Sequence, residues 1–192
     1  MLNLTRKELS VMLGASLFLS SAQLLANEHS QIELKAQAIT IVKEFGGTLK
    51  PLLKNALQKG GVKEAVEVCS KKAPDIAEKL SLKTSWQVKR VSLKARNQQN
   101  AVPNSWETSV LKEFNQRQLN GESVIKMAKA DIVNNEFRFM KAQGVEPLCL
   151  TCHGRNLSEE TKEALAKHYP EDKATGYALG EVRGAFSLTK SL

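Results

Sequence analysis

The sequence predicts an α+β fold with an antiparallel sheet. Apolar residues recur on a helical period over 30–58 and again over 62–80, while 84–94 and the closing run VRGAFSL are rich in β-branched and apolar residues. The elements follow as helices, strand, helix, strands, helix and strand, with no internal repeat, an order that suits α+β. With 192 residues, 42% hydrophobic and 25% charged, the chain has the size and balance of one soluble globular domain. Collagen-like, disulfide-dense and polytopic membrane classes are excluded.

Residues 1–26 read as a secretory signal peptide. Arg6 and Lys7 precede an uncharged, mostly apolar stretch over 11–26, and the chain turns polar at Asn27, Glu28 and His29. Cleavage is expected after Ala26, with Ala22 as the alternative, leaving 27–192 as one soluble domain in the periplasm. An uncleaved anchor is the competing reading; the apolar run is short for a span, and no later segment suffices for stable membrane insertion.

In 30–58, Ile32, Ala36, Ile39, Val42, Phe45 and Leu49 can share one helical face; Gly46, Gly47 and Pro51 predict a kink or break, and Gly60-Gly61 an end. The next helix places Val62, Ala65, Val66, Cys69 and Ala73 on one stripe, with Pro74 as an interruption. After the strand in 84–94, Asn104 or Ser105 caps a helix that turns Trp106, Val110 and Phe114 inward. Strands are expected over 123–127 and 136–142, where Phe137 and Phe139 alternate with polar neighbours. Ser158 caps a helix to about His168, with Glu159 and Glu160 in its first turn where the dipole favours them, and Pro170 ends it.

The net charge is +8, and it is uneven: 50–96 carries twelve Lys/Arg against four Asp/Glu. Export argues against nucleic acid as the partner of this basic region. A solvated face is the bland reading; docking to an acidic protein or an anionic surface is the functional one.

The chemistry lies at Cys149-Leu150-Thr151-Cys152-His153, the C-x-x-C-H attachment signature of c-type haem. Two thiols at this spacing add to the two vinyl groups along one porphyrin edge. The adjacent imidazole then meets the iron, and Gly154 lets the chain leave a crowded edge. A thioredoxin-type dithiol, a zinc site completed by Cys69, and chance are the competing readings. Export favours one covalently attached haem c.

A second axial ligand must come from the opposite side, or the iron is open to a diatomic gas. Met127 or Met140 would give Met/His ligation, His29 or His168 bis-His, and Cys69 a thiolate. Cys69 stands on an apolar helix stripe, where free Cys is often only a small hydrophobe. A lone thiol in an oxidising compartment is a liability unless something occupies it, and Lys71 and Lys72 beside it would favour the thiolate.

Three blocks carry a resemblance over about residues 30–190: RVSLKARNQQNAVPNSWE at 90–107, EPLCLTCHG at 146–154 and YPEDKATGYALGEVRGAFSL at 169–188. The chain resembles a family of exported c-type haem domains whose members occur alone and as sensor modules. The resemblance implies a PAS-like antiparallel sheet with N-terminal helices packed over a haem pocket. That family pairs the haem-motif His with a Cys from an N-terminal helix, which places the ligands at His153 and Cys69. The sequence departs from the family at Gln98, where Pro is expected after Arg-Asn, and is one residue longer before Pro103. Arg90, Arg96 and Arg183 are candidates to pair with haem propionates, since guanidinium matches a carboxylate fork. Tyr177 is a candidate to line the haem edge, and Asn97, Trp106 and Asp172 read as turn, core and turn.

The expected function is a periplasmic haem-based redox or gas sensor module; the alternative is a small periplasmic electron-transfer cytochrome c. Enzymatic activity is not expected, since a peroxidase needs a distal base beside an open iron and no clear one is present. The sequence holds no kinase, cyclase or methyl-accepting segment, so a sensor needs a separate redox or signalling partner, and the basic region suggests an acidic one.

Overall fold

The computed structural model describes residues 28–192 with their side chains and 6–27 as backbone alone. The expected signal segment and its cleavage sites lie outside the residues described in full. The described residues up to Gln37 form one compact unit and Ala38–Leu192 the other. Among the described residues no helix is long and apolar enough to cross a membrane.

Helix α1 (Arg6–Thr84) is a single helical run interrupted only at Gly61, whose φ of 67° and ψ of −156° are non-helical. A positive φ at this bend suits a residue without Cβ. The expected break at 46–51 does not occur, and Pro51 and Pro74 both sit within the helix. The buried stripe is also rotated from the expected one. Ala38, Ile41, Phe45 and Leu49 are buried, whereas Ile32 is 67% exposed. Burying this stripe outweighs the local helix penalties of Gly and Pro. Within Ala38–Leu192, Lys83 Nζ in the last turn of α1 reaches Glu44 Oε1 at 2.7 Å.

The sheet has four antiparallel strands in the order β1-β4-β3-β2, built from β1 (Gln87–Val91), β2 (Ala128–Val133), β3 (Glu136–Gly144) and β4 (Val182–Ser191). β4 is central, pairing Arg90 with Phe186 on one side and Phe139 with Leu188 on the other. One sheet face meets α1, where Phe45 packs edge-to-face on Phe186 at 5.2 Å; Trp86, just after the helix, packs likewise on Phe137 at 6.0 Å. Helix α2 (Ser105–Leu119) covers the other face, where Val110, Leu111 and Phe114 join Met127, Met140, Ala142 and Ala185 in one cluster. Its start is a capping box: Asn104 accepts from the Glu107 amide, and the Glu107 carboxylate accepts from the Asn104 amide. Glu107 is buried and accepts further from Ser187 Oγ at 2.6 Å and Lys89 Nζ, which pins α2 to β4 and β1.

The strand expected over 123–127 is instead a 3₁₀ turn, Val124–Lys126. Val124 and Met127 are buried while Ile125 is 83% exposed, a spacing of three that a strand cannot satisfy. The strand falls just after it, over residues poor in β-formers. β2 is held by its hairpin: Asn134 and Asn135 take φ of 54° and 59°, the doubly left-handed turn that two-residue hairpins favour.

Candidate functional site

The C-x-x-C-H residues form a short helical segment. A 3₁₀ turn, Pro147–Cys149, leads into α3 (Leu150–His153). Gly154 follows because the chain turns back on itself there: a Cβ at this position would stand 2.5 Å from the Leu150 carbonyl oxygen. Helix α4 (Glu159–His168) begins soon after, with Ser158 capping the Thr161 amide. Cys152 rests against Val66 of α1 and Ala164 and Leu165 of α4, and Cys149 against Val145, Ala174 and Tyr177.

A cavity of about 690 Å³ opens between the second arm of α1, the loop after β1 and this motif. Cys149, Cys152 and His153 lie on its lining together with Cys69, Arg90, Arg96 and Arg183. Phe45, Leu49, Leu53, Leu57 and Val66 supply apolar walls. The size falls inside the range of about 300–1,000 Å³ typical of small-molecule and cofactor sites. All three cysteines are free thiols. The other ligand candidates stand elsewhere: Met127 and Met140 are fully buried in the α2 cluster, His168 ends α4 and does not line the cavity, and His29 is exposed.

His153 is held by its backbone neighbours. Nδ1 lies 2.7 Å from the Ala174 carbonyl oxygen, which bonds it only when Nδ1 carries the proton, and 3.1 Å from Arg183 Nε, which bonds it only in the other tautomer; Nε2 lies 3.4 Å from Arg96 Nη1. Burial, then the Arg183 and Arg96 guanidiniums, hold its pKa well below the usual histidine value. The imidazole is therefore neutral, the form that ligates metals. At Cys69, burial pushes the thiol pKa up, opposed by Arg90 and Arg96. The lysines expected to favour a thiolate do not act there: Lys71 pairs with Glu67 and Lys72 with Asp75 at the surface. Both lysines sit at the surface, whereas Arg90 and Arg96 share the cavity lining with Cys69 and their charges act on it.

The three arginines have different surroundings. Arg96, 10% exposed, forms an ion pair at 3.0 Å with Asp172, itself 9% exposed. It also donates to the carbonyls of Cys152 and Ala174. Asp172 in turn accepts from the Ala174 amide at 2.7 Å. Arg96 and Asp172 thus close a brace around the Ala174 carbonyl that orients His153. Arg183 places Nε 3.1 Å from His153 Nδ1 and donates from Nη1 to Ser92 Oγ at 3.0 Å. Arg90 lies 5.1 Å from the Phe45 ring centre and is half-buried on the cavity lining, with no carboxylate partner among the described residues. Tyr177 is not on the lining of the large cavity. It stands behind His153, donating its amide to the His153 carbonyl at 2.9 Å and its hydroxyl to the Arg183 carbonyl. Gln98 compensates for the absent proline: its side-chain amide donates to the carbonyls of Ala95 and Glu171, tying the loop to the third block.

The Tll0287-like family pattern matches residues 18–191. The chain belongs to the Tll0287-like family. The crystal structure of the cyanobacterial haem protein Tll0287 shares the fold, with a TM-score of 0.65 at 22% identity, covering 83% of this chain and 95% of that one. No curated protein sequence matches the chain. In this Tll0287-like domain the three sequence blocks meet at one place, Arg96 from the first, Cys152 and His153 from the second, and Asp172, Ala174 and Arg183 from the third. Sequence reading assigned Asp172 only a turn. Its pairing with Arg96 spans 76 residues, and a lone Asp before a small residue gives no signal of it. The Ala174 carbonyl is backbone and has no side-chain signature.

The brace predicts a specific cost. Asp172→Ala leaves Arg96 buried without its counter-ion, and removing one partner of a buried pair typically costs about 3–5 kcal/mol. Urea unfolding followed by circular dichroism is expected to show that loss, with protease cleavage appearing first in 169–175. Unchanged stability would mean that Arg96 finds an equivalent partner.

Proposed function

We propose that the chain is an exported mono-haem c-type protein that works as a redox or gas sensor module. The observation that carries this reading is the shared lining of one large cavity by Cys149, Cys152 and His153 with Cys69. The donor set fits the group: two free thiols at C-x-x-C spacing, a neutral imidazole, a third thiol on the same lining, several apolar side chains and the half-buried Arg90. Cys149 and Cys152 would hold the group through their sulfurs. His153 and Cys69 would ligate the iron, and Arg90 would pair with a propionate. Arg96 would act through the brace on His153. When bound, the haem would supply one-electron chemistry and an iron site that can exchange a ligand. Likeness to a solved haem protein supports the reading.

Cys69 stands on the helical arm that follows the Gly61 bend. As a ligand Cys69 would tie that arm to the bound group, which makes the arm the element that a change at the site would bias. Moving such an element from 1:99 to 99:1 needs about 5.5 kcal/mol of differential binding. Non-enzymatic action follows from this reading, with a separate signalling partner in the periplasm.

Visible and EPR spectra of the exported protein, made with haem-maturation machinery, test it in both oxidation states with and without CO or NO. A six-coordinate low-spin ferric form and a ferrous form that binds CO are expected. A ferrous form that stays six-coordinate and ignores CO would favour the electron carrier. A colourless, zinc-loaded protein would remove haem altogether.

A further inference from the structure

β2 ends the sheet. Its neighbour on one side is β3, and α2 packs chiefly over β3 and β4, so the other side of β2 is an open edge among the described residues. We propose that a second copy of this chain pairs with that edge, β2 against β2, antiparallel about a two-fold axis at Ala130. No residue of β2 lines the large cavity, and the proposal neither rests on the haem reading nor follows from it.

The hairpin fixes which way the backbone of β2 points. Its two-residue turn, Asn134-Asn135, is closed by the facing pair Val133 and Glu136, and such a turn makes its closing pair a hydrogen-bonded one. Bonded and non-bonded pairs then alternate along the ladder, so Val133, Asp131 and Lys129 turn their amides and carbonyls toward β3. The Ala142 amide, which donates to the Met127 carbonyl at 3.1 Å, continues the same alternation. Ala128, Ala130 and Ile132 therefore turn their amides and carbonyls outward, and nothing among the described residues bonds them. The far edge differs: there the Val88 amide of β1 is taken up by Ser81 Oγ at 3.0 Å. A row of unpaired main-chain groups is a template for another strand.

The side chains select the same strand as the partner. With Ala130 facing Ala130 of the second copy, Ala128 faces Ile132 and Lys129 faces Asp131, each contact repeated by the two-fold. Every facing pair of outward residues would exchange both its main-chain bonds, and the opposite charges would meet across the closer, non-bonded pairs. Sliding the strands by two residues, the next register that the outward groups allow, would set Lys129 on Lys129 or Asp131 on Asp131. Like charges directly opposite are destabilising, so the alternation of sign admits this register and resists its neighbours. Both charges are within reach. Lys129, with 38% of its side chain exposed, is 3.5 Å from Glu113. Asp131 accepts from Trp106 Nε1 at 3.3 Å, while Arg138 opposite it pairs with Glu136 at 2.8 Å. Ile132, 44% exposed, would gain the Ala128 methyl as an apolar neighbour.

Sedimentation equilibrium of the full exported protein tests this. One strand edge buries less than a standard interface of about 1,600 Å², so a weight-average mass that rises with concentration from monomer to dimer is expected. Lys129→Asp and Asp131→Lys should each weaken the dimer at least about tenfold, because like charges then meet twice. An equimolar mixture of those two proteins should recover it, since each copy carries the charges that the other lacks; a purely structural role for either residue would not produce that rescue. Ala130→Pro removes an outward amide at an edge position, where proline is tolerated. It is expected to abolish the dimer with unchanged circular dichroism, and it keeps the test available if the charge variants misfold. A protein that stays monomeric up to about 1 mM, a dimer unweakened by Ala130→Pro, or a mixture no tighter than its components would each overturn the proposal. Mass is read by protein absorbance whatever the haem content, so failure of one reading leaves the other standing.

Discussion

Replacing both Cys149 and Cys152 with Ala is expected to turn a protein that stays red through acid-acetone extraction into one whose colour extracts completely. The intact protein should carry the added mass of one haem in denaturing mass spectrometry, and the double variant none. The expectation follows from the free thiols on the cavity lining beside His153 and from the chemistry of thioether formation, which needs both sulfurs for both vinyl groups. Each single variant should keep one thioether and an altered spectrum. Cys152 also packs against Val66, Ala164 and Leu165, so Cys152→Ala should lose some stability, which circular dichroism separates from loss of attachment. Persistent covalent colour in the double variant would show that another residue anchors the group.

Cys69→Ser should have the second-largest effect. A thiolate stabilises ferric iron more than ferrous, so its loss should raise the reduction potential. Each tenfold change in the relative affinity for the two oxidation states is about 59 mV for a one-electron couple, and a rise of at least that size is expected. The ferric spectrum should change to one open to water or added imidazole. The environment of Cys69 makes the thiolate conditional: burial opposes it, and Arg90 and Arg96 support it. An unchanged ferric spectrum and potential would reduce Cys69 to a packing residue and leave the electron carrier with some other ligand as the better reading.

Much of the architecture was legible because its signals are local. The capping box at Asn104 and Glu107, the Ser158 cap and the alternation of Phe137 and Phe139 each depend on residues within a few positions of one another. Where local signals conflicted, packing decided. Gly46, Gly47 and Pro51 predicted a break that burial of Phe45 and Leu49 overrides. Val124 and Ile125 looked like strand residues, yet only Val124 and Met127 find the α2 core. β2 was hidden because its residues are poor strand formers, and its only local sign was the Asn134-Asn135 pair.

The sequence by itself determined the C-x-x-C-H motif, the presence of one further cysteine on an apolar helix stripe and the arginines at 90, 96 and 183, since residue type and spacing carry that information. Only the tertiary structure decided that Cys69 shares a cavity with His153. It also sorted the arginines, binding Arg96 to Asp172, setting Arg183 between His153 and Ser92, and leaving Arg90 facing the cavity. Charge and fork geometry are common to all three side chains, so nothing in the one-dimensional pattern distinguishes them. What distinguishes them is which carboxylates and carbonyls the folded chain brings within hydrogen-bond reach, and those partners lie far away in sequence.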